Sequence, residues 1–396
     1  MLTTRKIIRN IHLWLGLVSG LVLSVVGVTG SIYVFEPELA PLLSTDTYLV
    51  QSDSSLFKDD VALAAAIEEQ TGEKIESLQW PQRGRETYAF KLFDDNRWYY
   101  FDQTTGKVIK GEELFGNAFF AFILKLHRTL TLGDIGYWIT ATSSLIFGLF
   151  MLTTGLYLWW PRVRARLKSS FRIKWNASPK RLNYDLHNVT GFYFFIPLFL
   201  MGITGSAFYY HDEAQWVVDK VTFSEPAPVS VWTSQFSDTT RGLEPLSISQ
   251  ALVEMNKHYP TYHKRNLWLT SSKERTLSFA YQKYKHVHAG PDERIFLRAD
   301  RYTGEILGEQ NPDKLPRGAA IMAQWLLPVH FGEFGGLLTR IIWFFAGFIP
   351  ALLTYTGIVI WLGRRKKGKK SSRKKSRKKA FSPKNPAEFE QVKMRG

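Results

Sequence analysis

Cysteine is absent from all 396 residues of the chain. This absence excludes disulfide bonds, cysteine-ligated iron–sulfur clusters and covalent haem attachment through CxxCH. The sequence also has neither a G-x-G-x-x-G pattern nor a P-loop, so we expect no nicotinamide, flavin or nucleotide site. No arrangement of acid, base and nucleophile stands out. A metal-containing cofactor would be held non-covalently, with histidine as the available ligand and Met151 or Met201 as alternatives within the hydrophobic stretches.

Four hydrophobic stretches stand out from an otherwise polar sequence. They cover about residues 8–35, 135–160, 186–210 and 337–362. Each reaches the roughly 20 residues that are needed to cross a bilayer. The first is too long for a cleavable signal peptide and lacks a clear small-residue cleavage site. We therefore predict a membrane protein with four transmembrane helices, the first of which is retained.

Positive charge is concentrated in three places. Residues 364–396 contain 15 Lys and Arg and two Glu, residues 161–181 contain eight Lys and Arg and no acid, and residues 1–11 contain three basic residues. The positive-inside rule places both termini and this linker in the cytoplasm. Residues 36–134 and 211–336 then lie outside. The basic tail favours a role in topology and contact with anionic lipid over nucleic-acid binding, since no folded nucleic-acid reader accompanies it.

Histidines and Thr-Gly pairs recur in the same order in both halves of the chain. The order is His12, Thr29-Gly30, His127 and Thr154-Gly155, then His187, Thr204-Gly205, His330 and Thr356-Gly357. Histidine at membrane depth is costly and usually functional. Paired imidazoles in a helix bundle most readily indicate haem iron, with these four histidines as axial ligands.

The repeat predicts how the histidines pair. Each half runs outward through one helix, forms an external domain and returns through another helix, so the halves are parallel repeats. A symmetry axis along the membrane normal pairs His12 with His187 near the cytoplasmic face, and His127 with His330 near the external face. Because 17 residues of helix rise about 26 Å, each Thr-Gly pair falls in the layer opposite the histidine of its own helix. These glycines either make room for a flat macrocycle or let helices pack closely.

The external segments also repeat. Asp102-x-x-Thr105-Gly106 and Asp300-x-x-Thr303-Gly304 each follow a strand-like run and predict hairpin turns. The fold class is therefore four transmembrane α-helices in two parallel repeats, with two periplasmic α+β domains. The predicted segments are helix 1 at 1–36, an external domain at 37–113, an interfacial segment with helix 2 at 114–160, a basic linker at 161–185, helix 3 at 186–210, an external domain at 211–315, an interfacial segment with helix 4 at 316–363, and a disordered tail at 364–396.

Several charged residues near the histidines are further candidates. Arg9 beside the cytoplasmic pair, and Arg128 and Arg340 beside the external pair, could hold haem propionates. The alternative for each is an ordinary topology-determining or headgroup-level arginine. His211 follows the third stretch where the first half has Glu36. It is a surface histidine beside the membrane, a replacement for His127 or His330 as an iron ligand, or a residue that acts near the substrate.

Some of these motifs resemble one family. Arg9-x-x-His12-x-Trp14-x-Gly16, the run from Thr154 to Pro161, Asp185-Leu-His187 and His330-x-Gly332 are similar to the helices of PepSY-associated transmembrane proteins. The Asp-x-x-Thr-Gly hairpins resemble the PepSY domain, and the likeness covers nearly the whole chain apart from the basic tail. The family includes inner-membrane reductases of ferric siderophores with b-type haem. The resemblance therefore implies two haem b groups and electron transfer to a ferric chelate in the periplasm.

The electron donor and the function class stay open at this point. With no nucleotide site, electrons would come from a separate protein or from a membrane quinol. In a non-redox alternative, PepSY-like domains regulate or inhibit a peptidase and the helices only anchor them. Histidine layers could also serve metal-ion transport, although few carboxylates lie in the hydrophobic stretches.

Overall fold

A computed structural model describes residues 4–43, 48–50, 55–110, 115–161, 167–226, 236–269, 276–283 and 289–380. In chain order its α-helices are α1 (Thr4–Tyr33), α2 (Glu36–Leu43), α3 (Asp60–Thr71), α4 (Phe115–Thr129), α5 (Gly133–Ile146), α6 (Leu152–Trp159), α7 (Leu167–Ser170), α8 (Pro179–Tyr193), α9 (Phe195–Ala207), α10 (His211–Thr222), α11 (Ile248–Lys257), α12 (Arg317–Phe331) and α13 (Gly336–Ala380). A π-helical turn, Phe147–Met151, joins α5 to α6.

Three helical segments of the described chain are long and apolar enough to cross a membrane. They are Thr4–Tyr33, Gly133–Trp159 and Glu333–Arg365, and the count rises to four if α8 and α9 form one bent span. Large apolar side chains such as Val18, Leu21 and Leu338 are exposed on the outside of this bundle. An apolar exterior of this extent suits contact with lipid.

The third predicted span is not one straight helix. α8 and α9 meet at an angle of 65°. Phe194, between them, has φ −93° and ψ +10°, and Pro197 follows in the first turn of α9. Proline is tolerated there because the first turn leaves its N–H groups unpaired, so the sequence permits a new helix to begin at the bend. The helix also starts seven residues earlier than predicted, at Pro179.

The segments that were predicted to be external form one sheet instead of two separate ones. Its strands are β1 (Ile75–Gln79), β2 (Tyr88–Leu92), β3 (Asp95–Asp102), β4 (Lys107–Lys110), β5 (His263–Trp268), β6 (Leu277–Gln282), β7 (Arg294–Ala299) and β8 (Ile306–Gln310). Within the described residues their order is β4-β3-β2-β1-β5-β6-β7-β8. Each repeat contributes a four-stranded antiparallel meander, and β1 pairs with β5, with Leu78 opposite Leu267. The two predicted α+β units are therefore joined edge to edge.

Helices α3 and α11 cover one face of this sheet. Leu63, Ile67, Leu252 and Met255 are buried against the apolar side chains of the strands. Both helices start at a capping side chain, Asp59 for α3 and Ser247, within a capping box, for α11. The opposite face of the sheet is the more polar one, and part of it lies over the helical bundle.

The two Asp-x-x-Thr-Gly segments are turns, as the sequence predicted. Asp102 accepts a hydrogen bond from the Thr104 backbone N–H at 2.8 Å, and Asp300 accepts one from the Tyr302 N–H at 2.9 Å. Gly106 has φ +70°, a left-handed conformation that favours glycine. These motifs therefore shape hairpin turns.

The basic tail is partly helical, although its composition predicted disorder. α13 continues past the apolar stretch to Ala380. Lys and Arg have good helix propensity, and extending an existing helix avoids the cost of nucleation. Residues 381–396 of the predicted tail lie outside the described residues, as do residues 162–166 of the predicted linker.

Candidate functional site

The bundle brings the four histidines of the internal repeat together as two facing pairs. His12 on α1 faces His187 on α8, with ring centroids 6.4 Å apart and ring planes at 80°. His127 on α4 faces His330 on α12, with centroids 6.2 Å apart and planes at 57°. These are the partners that the internal repeat predicted. Each pair joins one histidine from each repeat.

In each of these four histidines, the imidazole Nδ1 atom lies within hydrogen-bond distance of a threonine hydroxyl. The contacts are His12 with Thr154 at 2.9 Å, His187 with Thr356 at 2.9 Å, His330 with Thr204 at 3.0 Å and His127 with Thr29 at 3.4 Å. In each case the threonine belongs to a Thr-Gly pair of the same repeat, on a different helix from the histidine. Four Thr-Gly pairs therefore serve as four seats for imidazole rings.

The seats fix which ring nitrogen carries the hydrogen. Each threonine hydroxyl donates its only hydrogen to a backbone carbonyl one turn earlier, as Thr356 does to Leu352 at 2.7 Å and Thr204 to Leu200 at 2.6 Å. The hydroxyl oxygen must therefore accept from Nδ1–H. His127 Nδ1 also lies 2.8 Å from the Val26 carbonyl, which can only accept.

The opposite nitrogen, Nε2, keeps its lone pair in this tautomer. Within the described part of the chain, none of the four Nε2 atoms makes a hydrogen bond. A neutral imidazole with Nδ1–H anchored and Nε2 free is the form that binds a transition metal. Each pair thus offers two nitrogen ligands.

The glycine of each seat gives the ring its space. A Cβ atom added to Gly30 would lie 2.8 Å from His127 Cε1, and one added to Gly205 would lie 3.1 Å from His330 Cε1. At Gly155 the corresponding distance to His12 Cε1 is 3.2 Å, and at Gly357 the distance to His187 Cε1 is 3.5 Å. The sequence left two roles open for these glycines, and their closest contacts show a third: they receive the imidazole.

A cavity of about 410 Å³ lies at the His127–His330 pair. Both imidazoles, Gly30 and Gly205 line it, and Arg128 contributes one charged side chain. The rest of the wall is mostly apolar and includes Leu23, Val26, Phe147, Leu198, Met201 and Phe208. Its volume is within the roughly 300–1,000 Å³ of small-molecule and cofactor sites.

The other candidate residues fall in different places. Arg128 lies over the Tyr137 ring, 5.6 Å from its centroid, and reaches the cavity. Arg9 is exposed near the start of α1. His211 is on the surface at the start of α10, 3.5 Å from Asp212.

Arg340 has a structural role that the sequence did not reveal. It is 2% exposed and its terminal nitrogens donate to both carboxylate oxygens of Glu38, at 2.7 and 2.8 Å. One of them also donates to the Val34 carbonyl. Both terminal nitrogens are therefore engaged at the junction of α1, α2 and α13, and the structure does not direct this arginine to a propionate.

Replacing Arg340 with methionine should destabilise the protein by about 2–3 kcal/mol, because charge-assisted hydrogen bonds are lost. The loss stays below that of a fully buried pair since Glu38 is 41% exposed. Thermal unfolding in detergent measures it. Lys257→Met, which breaks the surface pair with Glu254, is the control and should cost under about 1 kcal/mol. Equal stability of the two variants would contradict this role for Arg340.

Fold and site together define a membrane protein whose helical bundle carries two facing histidine pairs beneath an eight-stranded sheet. The chain belongs to the PepSY-associated TM region family, whose model matches residues 9–364. This match confirms, at the level of the family, the resemblance that the sequence motifs indicated. No curated protein shows a significant match to the chain.

Proposed function

We propose that this protein is a di-haem b electron carrier of the bacterial inner membrane that reduces a ferric siderophore or related ferric chelate on the outer side. The observation that carries the proposal is the geometry of the two histidine pairs. Each pair would hold one metal ion between its two Nε2 atoms, since bonds of about 2 Å plus about 1 Å from each nitrogen to its ring centre would require ring centroids about 6 Å apart. Both pairs have this spacing.

The residues around the His127–His330 pair fit a haem group. The cavity is largely apolar, as a porphyrin requires, and it reaches both imidazoles. His127 and His330 would supply the two protein ligands of the haem iron. Arg128 lines this cavity and is the cation that would hold a haem propionate there. The His12–His187 pair is supported by the same three features: the Nδ1–H tautomer, a threonine hydroxyl bound to each ring, and a centroid separation of 6.4 Å.

The chain's own residues set the conditions for electron transfer. When bound, haem iron supplies the one-electron redox couple. Each threonine hydroxyl accepts a hydrogen bond from the Nδ1–H group of its histidine. This hydrogen bond fixes the orientation of the imidazole ring and its basicity as a ligand. Leu23, Phe147 and Leu198 form an apolar core in the bundle and exclude water. The two layers are separated by about 26 Å of rise along α1.

The distribution of charge supports the proposed direction. The basic N-terminus, linker and tail favour a multi-pass protein with both termini in the cytoplasm. The His12–His187 pair then lies on the donor side, where a cytoplasmic protein or quinol delivers electrons, and the sheet lies in the periplasm. A peptidase-regulating anchor, the alternative function, would have no use for four imidazole seats.

The proposed reaction can be tested with the reduced protein. Protein reduced anaerobically with dithionite, then freed of excess reductant, is mixed with a ferric siderophore. We expect loss of the reduced α-band and one Fe(II), trapped by ferrozine, for each electron transferred. The gallium complex of the same siderophore is the control, since Ga(III) accepts no electron under these conditions. Protein that stays reduced in the presence of ferric chelates would contradict the proposal.

A further inference from the structure

Each repeat has a short helix directly after the apolar segment that leads to the sheet. α2 begins three residues after α1 ends, and α10 begins four residues after α9 ends. The two helices are equivalent in the repeat, since the 175-residue offset that relates Thr29 to Thr204 also relates Glu36 to His211. Because consecutive Cα atoms are about 3.8 Å apart, each short helix starts within about 15 Å of the apolar segment before it.

The short helix of the first repeat carries an exposed apolar stripe. Leu39, Leu42 and Leu43 of α2 are exposed, Leu42 to 75%. Their spacing of three and four residues puts them on one face of the helix. Another side of α2 is buried at Ala40, which belongs to an apolar cluster that includes Ile32 near the end of α1. The stripe therefore lies close to the end of α1 and faces away from the protein.

The sheet contacts a different part of α2 and leaves this stripe exposed. Gly84, in the connection between β1 and β2, packs so closely against the Pro37 carbonyl that no Cβ atom would fit. Glu38 forms ion pairs with Arg83 of the same connection and with Arg340 of α13. α2 is therefore fixed between the sheet and the bundle by its first turn, and its leucine stripe has no role in that attachment.

The short helix of the second repeat has the same feature. Val217, the repeat equivalent of Leu42, is exposed, and Val221, one turn further along the same face, is exposed to 73%. Trp216 and Phe223 in the same segment are also exposed, Phe223 to 97%. Another side of α10 packs against α12. Single exposed apolar residues are normal on a protein surface, but exposed groups of them at equivalent places in two repeats mark an interaction surface.

Lipid is the partner that position and composition favour. The two stripes continue the apolar exterior of the bundle, from which only a few residues separate them. Exposed aromatic residues beside an apolar span are typical of the membrane–water interface. The other exposed positions of α10 include Asp212, Glu213 and Lys220. Such a mixture of charged and apolar positions is typical of a helix that lies in the plane of the interface.

We propose that α2 and α10 lie in the membrane surface on the side of the sheet and insert their apolar side chains among the lipid acyl chains. One helix from each repeat would then support the sheet, so that its height above the bundle is fixed on two sides. The apolar face of an interfacial helix is typically buried about 5–10 Å into the boundary between headgroups and acyl chains. This inference depends neither on haem nor on electron transfer.

The absence of cysteine makes a direct test possible, because one introduced cysteine is the only thiol in the full-length protein. Leu42→Cys and Val221→Cys are labelled with the fluorophore NBD and reconstituted into phosphatidylcholine vesicles. A fraction of the lipid carries a nitroxide quencher near the glycerol end of an acyl chain. Both labels should be quenched at least about 2-fold more strongly than a label at Val253→Cys. Val253 is the matched control, since it is an exposed valine on α11, which covers the face of the sheet away from the bundle.

A fourth variant supplies the depth reference. Leu21→Cys labels an exposed position in the middle of α1. A nitroxide near the end of the acyl chain should quench this label more strongly than the labels at Leu42 and Val221, and a nitroxide near the glycerol end should reverse that order. Quenching at Leu42 and Val221 no stronger than at Val253 would overturn the proposal. That result, together with a dimer in size-exclusion chromatography, would assign the stripes to a second copy of the chain instead.

Discussion

Replacing His330 with alanine is expected to reduce the haem b content from two per chain to one. The variant leaves His127 as the only protein ligand in its layer, held by Val26 and Thr29 but without a facing imidazole. Loss of a direct ligand should cost more than the roughly 10–100-fold in affinity that removal of an outer-shell partner costs. Pyridine haemochrome analysis gives the count, and electron transfer to the ferric siderophore should stop because the His12–His187 layer lies far from the sheet.

His211→Ala is the matched control. This histidine is on the surface and pairs with Asp212, so the variant should retain both haems and the spectrum of the parent. His12→Ala should lose the other haem and keep the one at His330. If His330→Ala keeps two haems with unchanged spectra, the assignment of the external layer is wrong.

The Gly27→Leu substitution should prevent the bundle from assembling. α1 and α13 cross at Gly27 and Gly347, where a Cβ on Gly27 would lie 2.2 Å from the Gly347 carbonyl oxygen. The obstacle is backbone, so no rotamer change removes it. The cost should exceed the about 1–3 kcal/mol of ordinary overpacking. The measurement is the fraction of detergent-extracted protein that is monodisperse, together with its unfolding temperature.

Gly363→Leu provides the comparison on α13, because no described atom lies within 4 Å of a Cβ at that position. This variant should behave like the parent protein. A monodisperse Gly27→Leu protein with the parent's unfolding temperature would show that the close crossing of α1 and α13 is not required.

The histidine pairs could be predicted because symmetry needs only the order of the helices. The seats could not, since His12 and Thr154 are 142 residues apart and nothing local in the sequence marks their hydrogen bond. The signal that could have revealed them is that each predicted layer contains two histidines and two Thr-Gly pairs. The role of Arg340 was missed for the same reason, because Glu38 is 302 residues away.

The joined sheet and the bent span show a different limit. The pairing of β1 with β5 depends on how the two repeats meet. The alternation of apolar and polar side chains along a strand is the same whether the edge of that strand is free or paired. The bend at Phe194 lies within a continuous apolar run. Hydrophobicity there predicts burial but carries no information on the direction of the helix axis. The helix in the basic tail was not predicted, because the composition of the tail carries no information on the helix that precedes it.

The measurement that tests the central claim most directly is the haem content of the purified protein from haem-replete cells. We expect oxidised and dithionite-reduced spectra with a shifted Soret band and sharp α and β bands, and two b-type haems per chain by pyridine haemochrome. A folded, monodisperse and colourless protein would contradict the account and favour the peptidase-regulating anchor.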